Sequence, residues 1–209
     1  MPAQRLSMRS LPLLVLAIAL ILVPAAAGAQ DEGAAEPSVY TIDTNHATIG
    51  FKVRHLTVSN VTGKFGTFES TIRYNAEDPE DSDVTVTIDA ASIDTDNERR
   101  NGHLKSADFL DVENHPTITF ESTRMEKTDD GFQVTGDLTM RGVTREVSFP
   151  VSVVGPIQDP MGMQRMGIEG GLTINRRDWG LTWDRMMDTG GLIVANEVKI
   201  EISAEFTHG

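Results

Sequence analysis

The side chains best able to do chemistry are five histidines, and their spacing does not predict a metal site. They are His46, His55, His103, His115 and His208. No two of them stand two or four residues apart, the spacing at which neighbouring ligands on a strand or helix converge on a metal. The acidic stretch from Asp78 to Asp83 lacks the central glycine and closing glutamate of a calcium loop. We therefore predict no metal and no cofactor.

The chain also lacks the short motifs that mark common enzymes. It contains no nucleophile elbow, no phosphate-binding loop and no dinucleotide fingerprint. It has no cysteine, which excludes disulfides and thiol catalysis. The prediction is a protein that is not an enzyme, with a hydrolase or isomerase of small apolar substrates kept as an alternative.

Five cations near the ends of the predicted strands could bind a charged head group, because phosphate oxygens favour such donors. They are Arg54, Lys64, Arg100, Arg141 and Arg176. We retain Arg54, Lys64 and Arg141 as head-group candidates, with a solvated or salt-bridged surface role as the alternative for each. The stretch Arg176-Arg177-Asp178 is expected to tie a loop to the rest of the fold.

Residues 1–29 have the layout of a secretory signal peptide. Two arginines precede an apolar run, Leu11 to Val23, which is shorter than the about 20 residues of a membrane-spanning helix. Ala27-Gly28-Ala29 offers small residues for cleavage, and no cysteine follows that could carry a lipoprotein anchor. We expect a periplasmic or secreted protein with no stable membrane anchor after cleavage.

Cleavage after Ala29 would leave 180 of the 209 residues, enough for one domain with its own core. We expect a flexible leader over residues 30–38 and one domain over residues 39–209. The net charge would change from −13 to −15, because the removed segment holds two arginines and no acid. Such a surface repels nucleic acid and anionic membranes, so no nucleic-acid partner is expected.

Apolar residues recur at every second position along most of this domain, which is the period of half-buried strands. Ile49, Phe51, Val53 and His55 share one face, and Gly66 then shifts the phase, which predicts a bulge or sharp bend. The same alternation covers 68–72, 84–90, 118–122, 132–140, 147–153, 166–174 and 198–206, which makes about eight strands. Turn residues separate them at Asp78-Pro79, Asp129-Asp130-Gly131, Arg141-Gly142, Gly155-Pro156 and Gly190-Gly191.

The segment from Ser92 to Pro116 breaks this period and predicts one or two short helical turns that cross an end of the sheet. The other connections are mostly short, so the pairing should be antiparallel. Half-exposed strands of this number usually close into a barrel, because closure removes the free edges. We predict an all-β fold, an eight-stranded antiparallel barrel whose interior admits side chains or one small ligand.

The inward-facing residues are apolar and mix large side chains with Gly63, Gly136 and Gly170. Such a mixture either interlocks into a solid core or leaves a channel, and the residues alone leave both open. About ten buried carbons would contribute roughly 8 kcal/mol before ordering costs, near micromolar affinity. The predicted channel lining is Phe51, Val53, His55, Phe65, Phe68, Ile88, Phe120, Leu138, Met140, Phe149 and Leu172.

His55 and the methionines each have two possible interpretations. His55 is either a hydrogen-bonded core histidine or a polar contact for a ligand head group. The methionines offer adaptable apolar surface for a flexible lipid. For Met161, Met163 and Met166, however, a mobile hairpin loop is the preferred interpretation.

Several ordered blocks of sequence carry a resemblance to a known family. The most recognisable are His115-Pro116-Thr117-Ile118-Thr119-Phe120-Glu121-Ser122 and Gly136-Asp137-Leu138-Thr139-Met140-Arg141-Gly142-Val143-Thr144. They are accompanied by Ile49-Gly50-Phe51-Lys52-Val53-Arg54-His55 and by Ile174-Asn175-Arg176 through Trp179-Gly180. From Val39 to Phe206 the chain resembles the YceI-like family, polyisoprenoid-binding proteins with a lipocalin-like barrel.

The resemblance implies an eight-stranded barrel with a lengthwise apolar channel and a long isoprenoid, quinone-like or fatty-amide ligand. It also implies a periplasmic or secreted location, and a homodimer, since members of the family often dimerise. The expected function is an exported carrier or sequestering protein for such a lipid. A structural or stress-response barrel with a filled core and no ligand is the alternative.

Overall fold

The computed structural model describes residues 36–185 and 193–209, which form ten strands and one α-helix. The helix α1 spans Glu98–Lys105. The strands are β1 Ser38–His55, β2 Ser59–Phe65, β3 Phe68–Tyr74, β4 Asp83–Asp89, β5 Ile93–Asp94, β6 Thr117–Thr128, β7 Gly131–Met140, β8 Val143–Gln158, β9 Gln164–Asn175 and β10 Val194–His208.

These strands form a closed antiparallel barrel. Each neighbour along the order β10-β9-β8-β7-β6-β4-β3-β1 is hydrogen-bonded, and β1 pairs with β10 to complete the ring. In that last pairing Phe51 lies opposite Ile200 and Ile49 opposite Ile202. Closure pairs the backbone groups that an open sheet would leave at its edges.

The barrel has eight staves, because β2 and β3 together make one of them. The second half of β1 pairs with β2, and its first residues pair with β3. Gly66 and Thr67 separate the two strands, at the point where the hydrophobic pattern changes phase. The two-residue strand β5 pairs with β2 outside this ring. The predicted eight-stranded antiparallel barrel is thereby confirmed, including the bend at Gly66.

A helical crossover connects β4 to β6 at one end of the barrel, here called the crossover end. Asn97 caps α1, its side chain accepting a hydrogen bond from the Arg100 backbone N–H at 3.0 Å. The Asn101 side chain accepts from the backbone N–H and the hydroxyl of Thr95, at 2.9 and 2.6 Å. These bonds hold the helix against β5, as the aperiodic segment from Ser92 to Pro116 predicted.

Gly155-Pro156 is not a turn between strands, as its residue types suggested. Both residues lie inside β8, where the pairing with β9 is interrupted between Val154 and Ile157. Gly155 has a φ of +103°, and an added Cβ would lie 2.7 Å from the Arg165 carbonyl oxygen. The glycine therefore permits a bulge in a continuous strand, and the chain reverses after Gln158.

Met166 also differs from its preferred interpretation as part of a mobile loop. It lies in β9 and is buried, whereas Met161 is 79% exposed in the hairpin between β8 and β9. Met166 packs with Tyr40, Ile72, Ala204 and Phe206 in a cluster at the end of the barrel opposite α1, here called the far end.

Some predictions fall on other parts of the chain. The signal peptide at 1–29, most of the leader and the turn at Gly190-Gly191 lie outside the described residues. They stay predictions. Within residues 36–185 and 193–209, no helix has both the length and the apolar character needed to cross a membrane.

Candidate functional site: the barrel interior

The interior of the barrel contains a cavity of about 270 Å³. Side chains from all eight staves line it, and they are almost entirely apolar. Its volume is near the lower limit of small-molecule sites, which is roughly 300 Å³. The sequence pattern was compatible with either a filled core or a channel. The structure has a hollow, apolar space in the interior.

The cavity is long in relation to its volume. Met166 and Ile174 both line it and stand eight residues apart on β9. That separation corresponds to about 27 Å along a strand and roughly 20 Å along the axis of a barrel with ordinary strand tilt. A narrow tube of this length suits an extended hydrocarbon chain better than a compact ring system.

Glycines on the barrel wall make room for phenylalanine rings beside this tube. Gly63 lies opposite Phe51, and a Cβ added at Gly63 would meet the Phe51 ring at 2.4 Å. A Cβ at Gly136 would lie 2.6 Å from the Phe120 ring and 2.4 Å from the Glu121 carbonyl oxygen. The rings thus occupy space that wall side chains would otherwise take, and the tube beside them stays open.

Most of the predicted lining residues contribute to this surface. Phe120 and Phe149 pack with ring centroids 5.5 Å apart, and Phe51 and Phe65 with centroids 6.0 Å apart. Contact with a ligand stays a prediction for each of them. The predicted residues that line the cavity are Phe51, Val53, Phe65, Ile88, Phe120, Leu138, Met140, Phe149 and Leu172.

Phe68 and His55 are not part of the lining. Phe68 is buried, but it opens β3 opposite Ile88 and packs within the core cluster. His55 is half-buried at the end of β1, where the pairing with β10 is irregular after Val53. The irregularity ends the alternation of inner and outer faces from which the position of His55 was inferred.

The three predicted head-group cations also lie away from the cavity lining. Arg54 and Lys64 are exposed, and each follows an inward residue by one position, so the pleat turns it outward. Arg141 is half-buried in the turn between β7 and β8. It donates hydrogen bonds to the carbonyl oxygens of Gly180 and Ala107, the latter at 2.8 Å, and so ties that turn to the crossover.

The crossover end is covered by aromatic and aliphatic side chains. Leu104, Phe109, Leu110 and Leu181 all line the cavity there. Phe109 contacts Trp183 and His103, with ring centroids 5.3 and 5.0 Å apart. Among the described residues, these side chains form an apolar cap at this end of the cavity.

The ionisable residues of the lining do not form an acid–base pair. Among the described residues they are Tyr74 and Arg176. The hydroxyl of Ser70, which also lines the cavity, donates to the Thr85 carbonyl at 2.8 Å and has no histidine beside it. Ser82 accepts from the Asn75 backbone N–H at 3.0 Å. General acid–base chemistry needs a positioned proton carrier, and the described lining supplies none beside a nucleophile.

Of the five cations considered from the sequence as head-group candidates, only Arg176, which was not retained, lines the cavity. Its segment was expected to anchor a loop, and Arg176 does donate to the carbonyl oxygens of Ala195, Val194 and Leu181. It is also only 3% exposed and faces the cavity. Its place directly after the apolar run of β9 is the only sequence signal for this position, and a strand-end arginine is usually at the surface.

Outside the cavity the structure brings together Asp43, His46 and Glu205, with ligand atoms all within 4.8 Å of one another. Arg165 donates to Glu205 at 3.0 Å and to Asp159 at 2.8 Å, and approaches Asp43 at 3.5 Å. Its guanidinium thus already supplies positive charge to these carboxylates. The hydrogen bond from His46, at 2.9 Å, lowers the pKa of Asp43, and the same bond raises the pKa of His46.

This chain is similar in sequence to known proteins and similar in fold to solved structures. A UPF0312 protein of Ectopseudomonas mendocina is 41% identical over 169 residues, which cover 79% of this chain and 86% of that protein. The crystal structure of BcnA from Burkholderia cenocepacia matches with a TM-score of 0.69 at 24% identity, over 78% of this chain and 98% of that one.

A third comparison concerns a polyisoprenoid binding domain from Saccharophagus degradans. Its structure matches with a TM-score of 0.62 at 14% identity, over 83% of this chain and all of that domain, and at this identity the likeness concerns the fold. The family model described as the YceI-like domain matches residues 40–206, nearly the whole barrel from the start of β1 to the end of β10. The chain therefore belongs to the YceI-like domain family.

Proposed function

We propose that the protein binds a long apolar lipid, such as a polyisoprenoid, an isoprenoid quinone or a fatty amide, inside its barrel. The observation that carries the proposal is the long cavity lined by apolar side chains of all eight staves. Burying a hydrocarbon chain there would release water from apolar surface on both partners, at about 0.8 kcal/mol for each methylene group. The fold shared with a polyisoprenoid binding domain supports this ligand class.

The cellular role we propose is that of an exported carrier or sequestering protein. The signal-peptide layout of residues 1–29 supports export to the periplasm or beyond. An apolar molecule needs such a container to cross an aqueous compartment, and the acidic surface keeps the container soluble. Protein recovered from the periplasm or medium should begin at Gln30, and recovery of a chain that starts at Met1 would contradict export by cleavage.

Mass spectrometry of the intact protein, purified from its own host under non-denaturing conditions, tests ligand binding most directly. We expect extra mass that disappears after solvent extraction, together with an apolar molecule in the extract. The same spectrum reports whether the protein is a homodimer. Protein that carries no extractable molecule, and takes up no lipid after extraction, would contradict the proposal.

Two neighbouring substitutions on β9 locate the binding site. Leu172 lines the cavity, whereas Thr173 is exposed and lies opposite Lys199. L172D places a carboxylate in the apolar tube, so we expect lipid affinity to fall by about tenfold or more. T173D adds the same charge outside and should bind as the wild type does. Equal lipid retention in both variants would argue against an interior site.

A further inference from the structure

Arg176 places a buried positive charge at the crossover end of the cavity. It begins the short 3-10 turn Arg176–Trp179 that follows β9, and it lines the cavity together with Ile174 and Leu181. The residue is 3% exposed. Among the described residues it is the only lining side chain that carries a formal charge at neutral pH.

The hydrogen bonds of Arg176 satisfy part of its guanidinium, and among the described residues all of their acceptors are backbone carbonyl oxygens. Nε donates to the Ala195 carbonyl at 3.0 Å, Nη2 to that of Val194 at 3.4 Å and Nη1 to that of Leu181. A guanidinium carries five N–H groups, so these three bonds leave two. Within residues 36–185 and 193–209, no carboxylate oxygen lies within 4 Å of it.

The adjacent Arg177 has the surroundings that are usual for an arginine. It is partly exposed, bonds to the Asn196 side chain at 2.9 Å and forms an ion pair with Asp184. The nearest acidic side chain is therefore committed to the outer arginine. Burial, followed by the repulsion of Arg177, lowers the pKa of Arg176 against the weaker attraction of Asp184.

A buried charge in an apolar cavity is costly unless an opposite charge accompanies it. The cavity offers such a partner a defined place, because the remaining surface around Arg176 is aliphatic or aromatic. We propose that Arg176 binds the oxyanion head group, a carboxylate or a phosphate, of an amphiphilic lipid whose tail occupies the tube. This inference rests on the proposed function and specifies the chemistry of its ligand.

The position of Arg176 also orients the ligand. The head group would lie under the apolar cap formed by Phe109, Leu110 and Leu181. The tail would extend toward the far end, where Met166 and Phe206 line the cavity. A head group at the far end would face Tyr74, whose phenol group supplies no positive charge to balance an oxyanion.

The test uses wild-type protein freed of lipid and three probes with the same C16 chain. Palmitate and monohexadecyl phosphate carry an oxyanion, and methyl palmitate does not. Their affinities are measured by displacement of a fluorescent apolar probe from the cavity. Because hydrogen bonds to charged groups contribute about 1.5–3 kcal/mol, we expect at least one oxyanion to bind about tenfold or more tightly than the ester.

Substitutions of Arg176 test whether this residue causes the preference for an oxyanion over the ester. R176Q should lose the preference and keep the affinity for methyl palmitate, whereas R176K should retain part of it. K199Q, the control, removes an exposed positive charge on β10 outside the cavity and should behave as the wild type does. If the Arg176 variants fail to fold, the Nε–H NMR signal of Arg176 in the wild type should shift with palmitate and not with methyl palmitate.

The outcomes separate this inference from the proposed function. Equal binding of the ester and both oxyanions, or a preference that persists in R176Q, would overturn the role of Arg176 and leave a neutral-lipid barrel intact. An unchanged Arg176 signal on saturation with palmitate would overturn it as well. If none of the three probes enters the cavity, lipid binding itself fails, and the assignment of Arg176 fails with it.

Discussion

At the scale of single residues, two arginines of this barrel have opposite surroundings. Arg165 lies among Asp159, Glu205 and Asp43, and its hydrogen bonds to the first two raise its pKa. Arg176 lies in an apolar cavity with backbone carbonyls as its partners. The first arginine stabilises the outside of the fold, and the second is buried in the cavity lining.

His46 provides a pH-dependent contribution to stability. Its pKa is raised by the hydrogen bond to Asp43 and by the negative charges of Asp43 and Glu205, against the opposing charge of Arg165. The stabilisation is therefore fully present below the ordinary histidine pKa of about 6.5 and is lost as the pH rises through the higher folded value. We expect the Tm to fall from pH 6 to pH 8, and H46Q to flatten that part of the curve.

A thermal-denaturation series at constant ionic strength checks this prediction. D43N removes the main partner of His46 and should flatten the same interval. An unchanged pH profile in H46Q would show that the ion pair contributes nothing to folding, as is common for exposed pairs.

At the scale of elements, cross-strand pairs set the width of the tube. Gly63 and Phe51 are such a pair between β2 and β1, and the Thr95 methyl group lies on the other side of Gly63. Since only side-chain atoms crowd this position, a larger residue can be accommodated if the Phe51 ring moves. The free direction for that ring is the cavity that it already lines.

G63A should therefore narrow the tube without preventing folding. We expect a modest loss of stability, about 1–3 kcal/mol for an overpacked site, and weaker binding of long lipids. G167A is the matched control, since Gly167 on β9 is not among the lining residues and a Cβ there would meet its nearest atom at an ordinary 3.8 Å. Denaturant titration and the displacement assay measure the two effects. Lipid affinity equal in both variants would contradict the control of tube width by Gly63.

At the scale of the whole molecule, a hollow barrel is less well packed than a filled one. The atoms that line a cavity lose van der Waals partners on one side, and this lowers stability. A lipid that fills the cavity restores those contacts. Lipid binding would therefore increase the free energy of unfolding of the barrel.

Lipid should raise the Tm of the extracted protein. A ligand that binds only the folded state stabilises it by about 2.7 kcal/mol at one hundred times its Kd. Calorimetry of the extracted protein with increasing palmitate measures the effect, with L172D as the variant that should show little of it. A Tm that stays constant in wild-type protein at saturating lipid would contradict binding in the interior.

The strand pattern and most of the wall could be predicted from the sequence, because side chains on a strand alternate and this alternation can be counted. The family could be recognised separately, from ordered blocks of sequence such as His115 to Ser122. The sequence did not determine that the interior is hollow. That depends on how Phe51 and Phe120 lie against Gly63 and Gly136 across strands whose register is a tertiary property.

Tertiary structure also decided which cation faces the cavity. Arg54 and Lys64 point outward by the pleat, and Arg141 bonds to carbonyls of the crossover, so none of the three predicted head-group cations lies in the lining. His55 and Arg176 lie where the ladder becomes irregular or ends. Beyond that point alternation no longer holds, and the direction of a side chain depends on backbone partners distant in the sequence.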